Sequence, residues 1–148
     1  MPRPSTILVV EDDPVIARSI QRELAIRATK CEVVTSAAEA AAVAGRYSVA
    51  ILDIHLPDGN GLDVFRGLLT DKVVSTGVFF SATTDEADKR RAAELGVFVA
   101  KSNGVAAAVS TALQRPVSVA PQSQTRPGPA STTAPFEQEE QRTGSGPK

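Results

Sequence analysis

Short apolar runs alternate with segments of helical periodicity between residues 5 and 115. Each run has the length and composition of a strand buried on both faces. The five predicted strands are Ile7–Val10, Glu32–Thr35, Val49–Leu52, Val78–Phe80 and Val97–Ala100. The five predicted helices are Pro14–Lys30, Ser36–Ala44, Leu62–Thr70, Asp85–Leu95 and Val105–Leu113. Five strand-then-helix units predict a five-stranded parallel sheet, doubly wound, in an α/β fold.

Local signals set the ends of the first two helices. Pro14 suits a first helical turn, where its missing N–H costs nothing. Ser36, with Glu39 three residues later, has the pattern of a capping box. Gly45 is expected to end that second helix, because glycine is the common residue just past a helix end.

The composition changes after Arg115. Residues 116–148 carry six of the ten prolines and are rich in Ser, Thr and Gln. Such a segment buries too little apolar area to offset the entropy of ordering it. The sequence therefore predicts one folded domain over residues 5–115 and a disordered tail over residues 116–148.

Charge and cysteine content restrict the classes of function. The formal net charge is −1, which argues against direct binding to nucleic acid. No apolar stretch approaches the roughly 20 residues that a membrane helix needs, so no membrane insertion is expected. The single cysteine, Cys31, suits a reducing compartment. Together these features predict a cytoplasmic protein.

Carboxylates stand at the ends of two predicted strands. The first strand is followed by Glu11, Asp12 and Asp13, and the third strand is followed by Asp53. Because the carboxyl ends of parallel strands share one edge of the sheet, these acids are expected in one pocket. Clustered carboxylates repel one another unless a cation is present, and oxygen ligands favour Mg²⁺. Asp13 is expected only to cap the helix that begins at Pro14.

The later strand ends complete a familiar pattern. Ser81 and Ala82 end the fourth strand, and Lys101 ends the fifth strand, three residues after Phe98. The full set is Glu11, Asp12, Asp53, Pro57, Gly61, Ser81, Ala82, Phe98 and Lys101. In this order and spacing, residues 5–115 resemble the receiver domain of two-component response regulators, including the chemotaxis-regulator type. The resemblance implies a flavodoxin-like receiver fold and, most economically, a stand-alone receiver.

This resemblance implies a phosphoacceptor site. Asp53 would take a phosphoryl group from a phosphohistidine. Glu11, Asp12, Asp53 and the main-chain carbonyl of His55 would hold Mg²⁺. Lys101 would pair with Asp53 and then with a phosphoryl oxygen. The implied partners are a histidine kinase, a histidine phosphotransfer protein, or both. The chain would not be an enzyme beyond slow autodephosphorylation.

The same resemblance implies a switch. Ser81 would donate a hydrogen bond to the phosphoryl group, and Ala82 beside it would keep the entrance open. The movement of Ser81 would let Phe98 turn inward and change the surface of helix four, strand five and helix five. That surface would bind a downstream target or a second copy of the chain.

Two features depart from the family pattern: the residue after Lys101, and the spacing from Ser81 to Lys101, which is slightly short. Lys101 is followed by Ser102 rather than by proline, so either a trans peptide bond or local strain is expected there. His55, the single histidine, lies two residues after Asp53. Its imidazole is hypothesised to cover part of the phosphoryl group and to alter its loss to water. The alternative is an exposed loop histidine that contributes only its carbonyl.

Other classes of function fit the residues less well. An aspartate-nucleophile phosphatase would need a second acid where His55 stands. A flavodoxin-like cofactor binder would not place acids after its first strand, because they repel a phosphate. Two alternatives stay open: a receiver fragment of a larger regulator, and a receiver-like module that binds proteins without being phosphorylated.

Overall fold

Five parallel strands form the central sheet, as predicted. A computed structural model describes residues 6–114. The strands are Thr6–Val10 (β1), Lys30–Val34 (β2), Val49–Leu52 (β3), Gly77–Ser81 (β4) and Val97–Ala100 (β5). Their order in the sheet is β2-β1-β3-β4-β5, and every neighbouring pair is parallel. The order doubles back after β2, which is the signature of a doubly wound sheet.

Five helices connect and follow the strands. They are Pro14–Ile26 (α1), Ala37–Ala41 (α2), Gly61–Thr70 (α3), Glu86–Leu95 (α4) and Val105–Gln114 (α5). Two short elements were not predicted. One is a hairpin in which His55–Leu56 pairs with Gly59–Asn60, and the other is a 3-10 turn at Lys101–Asn103. The predicted tail at residues 116–148 lies outside the described residues.

The first two helices end earlier than the sequence indicated. Helix α1 ends at Ile26, because Ala28 takes a left-handed conformation with φ 56° and Lys30 already begins β2. Helix α2 ends at Ala41, and Gly45 lies in the loop beyond it with φ 98°. The alanines of α2 bury little apolar area, so tertiary packing does not extend the helix to the glycine.

Two hydrophobic clusters cover the two faces of the sheet. Within β1, Leu8 and Val10 belong to one cluster and Ile7 and Val9 to the other. This alternation follows the two-residue period of a strand and explains why the strands read as continuous apolar runs. The core therefore fixes the sheet from both sides and leaves its carboxyl edge to polar residues.

The sheet hydrogen bonds continue into the first residues beyond the strands. The Asp53 N–H donates to the Val10 carbonyl at 2.9 Å, and the Glu11 N–H donates to the Val34 carbonyl at 3.1 Å. These bonds hold the residues after β1 and β3 side by side. Within residues 6–114, no helix is long and apolar enough to cross a membrane.

Gly61 lets helix α3 begin directly against the end of β3. Its N–H donates to the Ile54 carbonyl at 2.6 Å. A Cβ at this position would overlap the carbonyl oxygen of Asp53. The absence of a side chain at Gly61 therefore sets the position of the Asp53 backbone.

We expect Gly61→Ala to lower the free energy of unfolding by about 3 kcal/mol, at the upper end of the usual cost of overpacking. Gly67→Ala is the matched control, because a Cβ there meets nothing within 4 Å in the same helix. That control should raise the free energy of unfolding by about 0.5–1 kcal/mol through helix propensity. Urea unfolding measures both. Equal effects of the two substitutions would contradict the role of Gly61.

Candidate functional site

Three carboxylates meet at the carboxyl edge of the sheet. Glu11 and Asp12 follow β1, and Asp53 follows the neighbouring strand β3. One oxygen atom of each acid lies within 4.8 Å of the others. Glu11 and Asp53 are buried, whereas Asp12 is exposed, so solvent reaches the cluster from the side of Asp12. The structure thus brings together the three acids predicted to hold a metal ion.

Asp13 has a different task from its neighbours. Its Oδ1 accepts hydrogen bonds from the N–H groups of Val15 at 2.9 Å and Ile16 at 3.4 Å. It is therefore the N-cap of α1, as the sequence predicted.

The ammonium group of Lys101 lies among the acids. Its Nζ is 2.8 Å from Asp53 Oδ2 and 3.2 Å from Glu11 Oε1. Burial by itself lowers the pKa of Lys101, but the hydrogen bond and charge of Asp53, together with Glu11, raise it above the ordinary value. Lys101 is therefore a fixed positive charge, and the predicted ion pair with Asp53 is present.

Glu11 shows that the site carries an excess of negative charge. Burial, helped by the charge of Asp53, raises the pKa of Glu11 to about 7. The Asp13 N–H, which donates to Glu11 Oε2 at 3.2 Å, and the Lys101 ammonium oppose this rise. One ammonium does not balance three carboxylates. A hard divalent cation with oxygen ligands fits this donor set, and Mg²⁺ is such a cation.

Ser81 and Ala82 stand where β4 ends. Ser81 is buried, and its Oγ accepts a hydrogen bond from the Thr83 N–H at 3.3 Å. Ser81 pairs in register with Ala100, the residue before Lys101. Ala82 is exposed at the mouth of the site. The structure therefore places both residues on the same edge as the acids.

The imidazole of His55 contacts helix α4 in this unphosphorylated chain, and its hypothesised position over the phosphoryl group stays a prediction. Its Nε2 lies 3.3 Å from Asp88 Oδ2 on helix α4, and 63% of its side chain is exposed. The His55 main chain does contact the acid, because its N–H donates to Asp53 Oδ1 at 3.4 Å. The ring therefore contacts the Asp88 carboxylate, which was not among the residues predicted to form the site.

That carboxylate, Asp88, is the main functional candidate that the sequence analysis missed. It is only 5% exposed and shares the buried side of α4 with Ala92, four residues later. An acid at helical spacing from a buried alanine is a signal visible in the sequence. In a helix rich in charged residues, this acid was not distinguished from its solvated neighbours.

Asp58 was also missed. Its carboxylate accepts hydrogen bonds from the N–H groups of Ala37 at 2.7 Å and Ala38 at 3.0 Å. These two bonds lower the pKa of Asp58. Because both donors lie at the start of α2, Asp58 ties the hairpin after Asp53 to that helix. The turn of the hairpin is therefore fixed to the start of α2.

Phe98 is half-buried on β5 and packs against the cluster that includes Ala92 of α4. The Nζ of Lys89 lies 5.9 Å from the centre of its ring. Lys89 also contacts Glu86 at 3.4 Å. The predicted inward turn of Phe98 stays a prediction, but its contact with α4 agrees with a role in the surface formed by that helix and β5.

The peptide bond between Lys101 and Ser102 is trans, as expected, since no cis bond occurs among the described residues. Lys101 begins the 3-10 turn, and Gly104 follows this turn with φ 92°. This left-handed conformation of Gly104 lets the chain pass from the 3-10 turn into α5, which begins at Val105.

Comparison with known proteins agrees with this geometry. Residues 7–108 match the family model of the response regulator receiver domain. The chain belongs to this family. Over 106 residues the receiver domain is 35% identical to the transcriptional regulatory protein KdpE of Mycobacterium tuberculosis, covering 67% of this chain and 45% of KdpE. Over 85 residues it is 33% identical to the response regulator protein PmrA of Pseudomonas aeruginosa, covering 56% of this chain and 38% of PmrA.

Solved structures share the fold of the receiver domain. The Mn(2+)-bound form of response regulator Rcp1 has a TM-score of 0.65 and 22% identity, covering 75% of this chain and 96% of Rcp1. TrrA from Thermotoga maritima, in complex with Mg(2+)-BeF, has a TM-score of 0.59 and 25% identity, covering 66% of this chain and 86% of TrrA. The chain spans less than half the length of KdpE and of PmrA. The predicted family is therefore confirmed, as a signalling domain of two-component systems rather than a conventional enzyme.

Glu11 should make the stability of the receiver domain depend on pH. Its pKa is about 7 when folded, against an ordinary value of 4.5, so the folded chain holds an extra proton between these values. The stability from that proton is full below pH 4.5 and is lost as the pH rises through about 7. We expect the free energy of unfolding, measured with urea in Mg²⁺-free buffer, to fall over this window.

Glu11→Gln should reduce this fall, because the amide does not titrate. Glu94→Gln, which changes an exposed glutamate of α4, should leave the fall unchanged. If Glu11→Gln and the wild type lose stability equally across the window, the burial of Glu11 is not its cause.

Proposed function

We propose that the chain accepts a phosphoryl group from a phosphohistidine onto Asp53 and transmits a signal through α4, β5 and α5. The observation that carries the proposal is the contact of Lys101 Nζ with Asp53 Oδ2 at 2.8 Å, beside two further carboxylates. This arrangement supplies a nucleophile, a fixed cation and oxygen ligands at one edge of the sheet. Membership of the receiver family supports the same conclusion.

In the proposed transfer, a carboxylate oxygen of Asp53 attacks the phosphorus atom. A P–O bond forms while the P–N bond to the donor histidine breaks, and the imidazole leaves with that electron pair. Lys101 stays charged and moves its contact from Asp53 to an oxygen of the transferred group. Attack of water on the aspartyl phosphate later restores Asp53, and this autodephosphorylation is slow.

Asp12 would ligate Mg²⁺ directly and Glu11 through water, with Asp53 and the main-chain carbonyl of His55 as further ligands. When bound, the ion supplies positive charge against the oxygens of the transferred group. The approach of three carboxylates to within 4.8 Å supports this assignment, because a second cation beside Lys101 relieves their mutual repulsion. The structures of Rcp1 with Mn²⁺ and TrrA with Mg²⁺ give the same indication by similarity.

Ser81 would turn its hydroxyl toward the phosphoryl group and donate a hydrogen bond to it. Ala82, which is small and exposed, leaves the donor access to Asp53. The displacement of Ser81 opens space that Phe98 fills, so that the α4-β5-α5 surface changes. That surface would bind a downstream protein or a second copy of the chain.

The proposed location is the cytoplasm, and the proposed partners are a histidine kinase, a histidine phosphotransfer protein, or both. We assign the receiver domain to residues 5–115. Direct binding to nucleic acid is not proposed for residues 6–114. KdpE is a transcriptional regulator more than twice as long as the matched segment. The absence of nucleic-acid binding is therefore predicted for the receiver domain alone.

The test is the intact mass of the chain after incubation with Mg²⁺ and a small acyl phosphate. We expect the wild type to gain one phosphoryl group, because Asp53 is the buried carboxylate that Lys101 contacts. Asp53→Asn removes the nucleophile and should abolish the gain. Excess EDTA should abolish it as well, since the negative charge on the phosphoryl oxygens is then not neutralised.

Asp63→Asn is the matched control for the substitution. Asp63 is an exposed aspartate of α3, and its replacement should leave the mass gain unchanged. A folded wild type that gains no phosphoryl group would contradict the proposal. It would favour a receiver-like module that binds proteins without phosphorylation.

A further inference from the structure

One aspartate of α4 is buried, although the helix carries many charges. Asp88 is 5% exposed, while Glu86 and Arg90 beside it are exposed. Burying a carboxylate is costly unless hydrogen bonds replace its hydration. The contacts of Asp88 therefore explain why it lies there.

Three side chains surround the carboxylate. Thr83 donates its hydroxyl to Oδ2 at 3.2 Å, and His55 Nε2 lies 3.3 Å from the same oxygen. Arg91 donates to Oδ1 at 3.1 Å. Two of these contacts leave the helix: Thr83 belongs to the loop after β4, and His55 belongs to the hairpin after β3. Asp88 thus joins three separate segments of the chain.

Both segments lead directly to the phosphoacceptor site. The Thr83 N–H donates to Ser81 Oγ at 3.3 Å. The His55 N–H donates to Asp53 Oδ1 at 3.4 Å. One residue therefore separates Asp88 from Ser81 on one side and from Asp53 on the other.

We propose that Asp88 is a positioning residue that holds Thr83 and His55 in the unphosphorylated arrangement. We call the contacts of Asp88 with Thr83 and His55 the Asp88 clasp. The inference rests on the proposed function of Asp53 as phosphoacceptor. It assigns to α4 a direct hold on the two segments that must respond when the phosphoryl group arrives.

The clasp opposes the change that phosphorylation requires. While the Thr83 hydroxyl donates to Asp88, the Thr83 N–H donates to Ser81 Oγ and holds the Ser81 hydroxyl in its resting position. When Ser81 turns toward the phosphoryl group, the loop must follow and the bond from Thr83 to Asp88 breaks. The clasp thus favours the resting state, and its loss shifts the population toward the phosphorylated arrangement.

The position of His55 follows from the same contact. The carboxylate draws the imidazole toward α4, which explains why the ring does not lie over Asp53. Release of α4 would free the ring to move toward the phosphoryl group. His55 is therefore a side chain whose environment reports the state of the clasp.

The first measurement is the rate of phosphorylation by a small acyl phosphate at saturating Mg²⁺. Asp88→Asn keeps the shape of the side chain but replaces the charged acceptor by an amide. We expect it to be phosphorylated about fivefold faster, as when one hydrogen bond of average net strength no longer holds the resting state. Thr83→Val, which removes one donor of the clasp, should act in the same direction and less strongly.

The control is Asp63→Asn. Asp63 pairs with Arg66 three residues later at 3.5 Å, as Asp88 pairs with Arg91, but it is exposed and lies on α3. It therefore matches the loss of a helical aspartate and its arginine pair without any contact to the site. Its rate should equal that of the wild type.

The second measurement is the NMR signal of the imidazole, which is unambiguous because the chain has a single histidine. Phosphorylation of the wild type should move this signal. Thr83→Val, which leaves the Asp88 carboxylate beside the ring in place, should move it in the same direction before any phosphoryl group is added. A change in stability alone would not produce this shift in a folded chain.

The outcomes separate the two proposals. If the folded wild type takes up no phosphoryl group, the proposed function fails and the role of Asp88 falls with it. If the wild type is phosphorylated, both variants match its rate and Thr83→Val matches its imidazole signal, only the role of Asp88 is overturned. If Asp88→Asn does not fold, Thr83→Val decides by the same two measurements.

Discussion

The mutual repulsion of three carboxylates at one sheet edge is the constraint on which the rest of this receiver domain depends. Glu11, Asp12 and Asp53 come within 4.8 Å of one another because the hydrogen bonds of β1 and β3 continue beyond the strands. One ammonium, Lys101, offsets part of that charge, and burial, helped by the charge of Asp53, raises the pKa of Glu11 to about 7. The folded chain is thereby poised to gain from any further positive charge.

The surroundings of this cluster are held unequally. On one side, Gly61 lets α3 begin against Asp53, and Asp58 ties the hairpin to α2. That side has little freedom to move. On the other side, α4 buries mainly Ala92 and the polar Asp88, so that hydrogen bonds rather than apolar area connect it with the loops. A change of charge at Asp53 therefore acts between two unequal surroundings. The hairpin and α3 are tightly held, whereas α4 is held by few apolar contacts.

The sequence was sufficient for the sheet, the acidic cluster and the partner lysine. Strands buried on both faces leave a continuous apolar run, and parallel strands bring the residues that follow them to one edge. It was not sufficient for the end of α2, where alanines gave helix propensity but little packing. It also left the direction of the His55 ring open, because that direction depends on Asp88, which lies 33 residues away in the chain.

The case of His55 has a general cause. A contact between two side chains of different segments has no local signature, so neither partner reveals it alone. Asp88 looks like one more solvated acid of a charged helix until its neighbours Thr83 and His55 are known. Yet such contacts suit a switch, because each is directional and depends on the position of the segment that carries its partner. In this domain the residues that the sequence does not distinguish, Asp88 above all, connect the segments around the phosphoacceptor with helix α4.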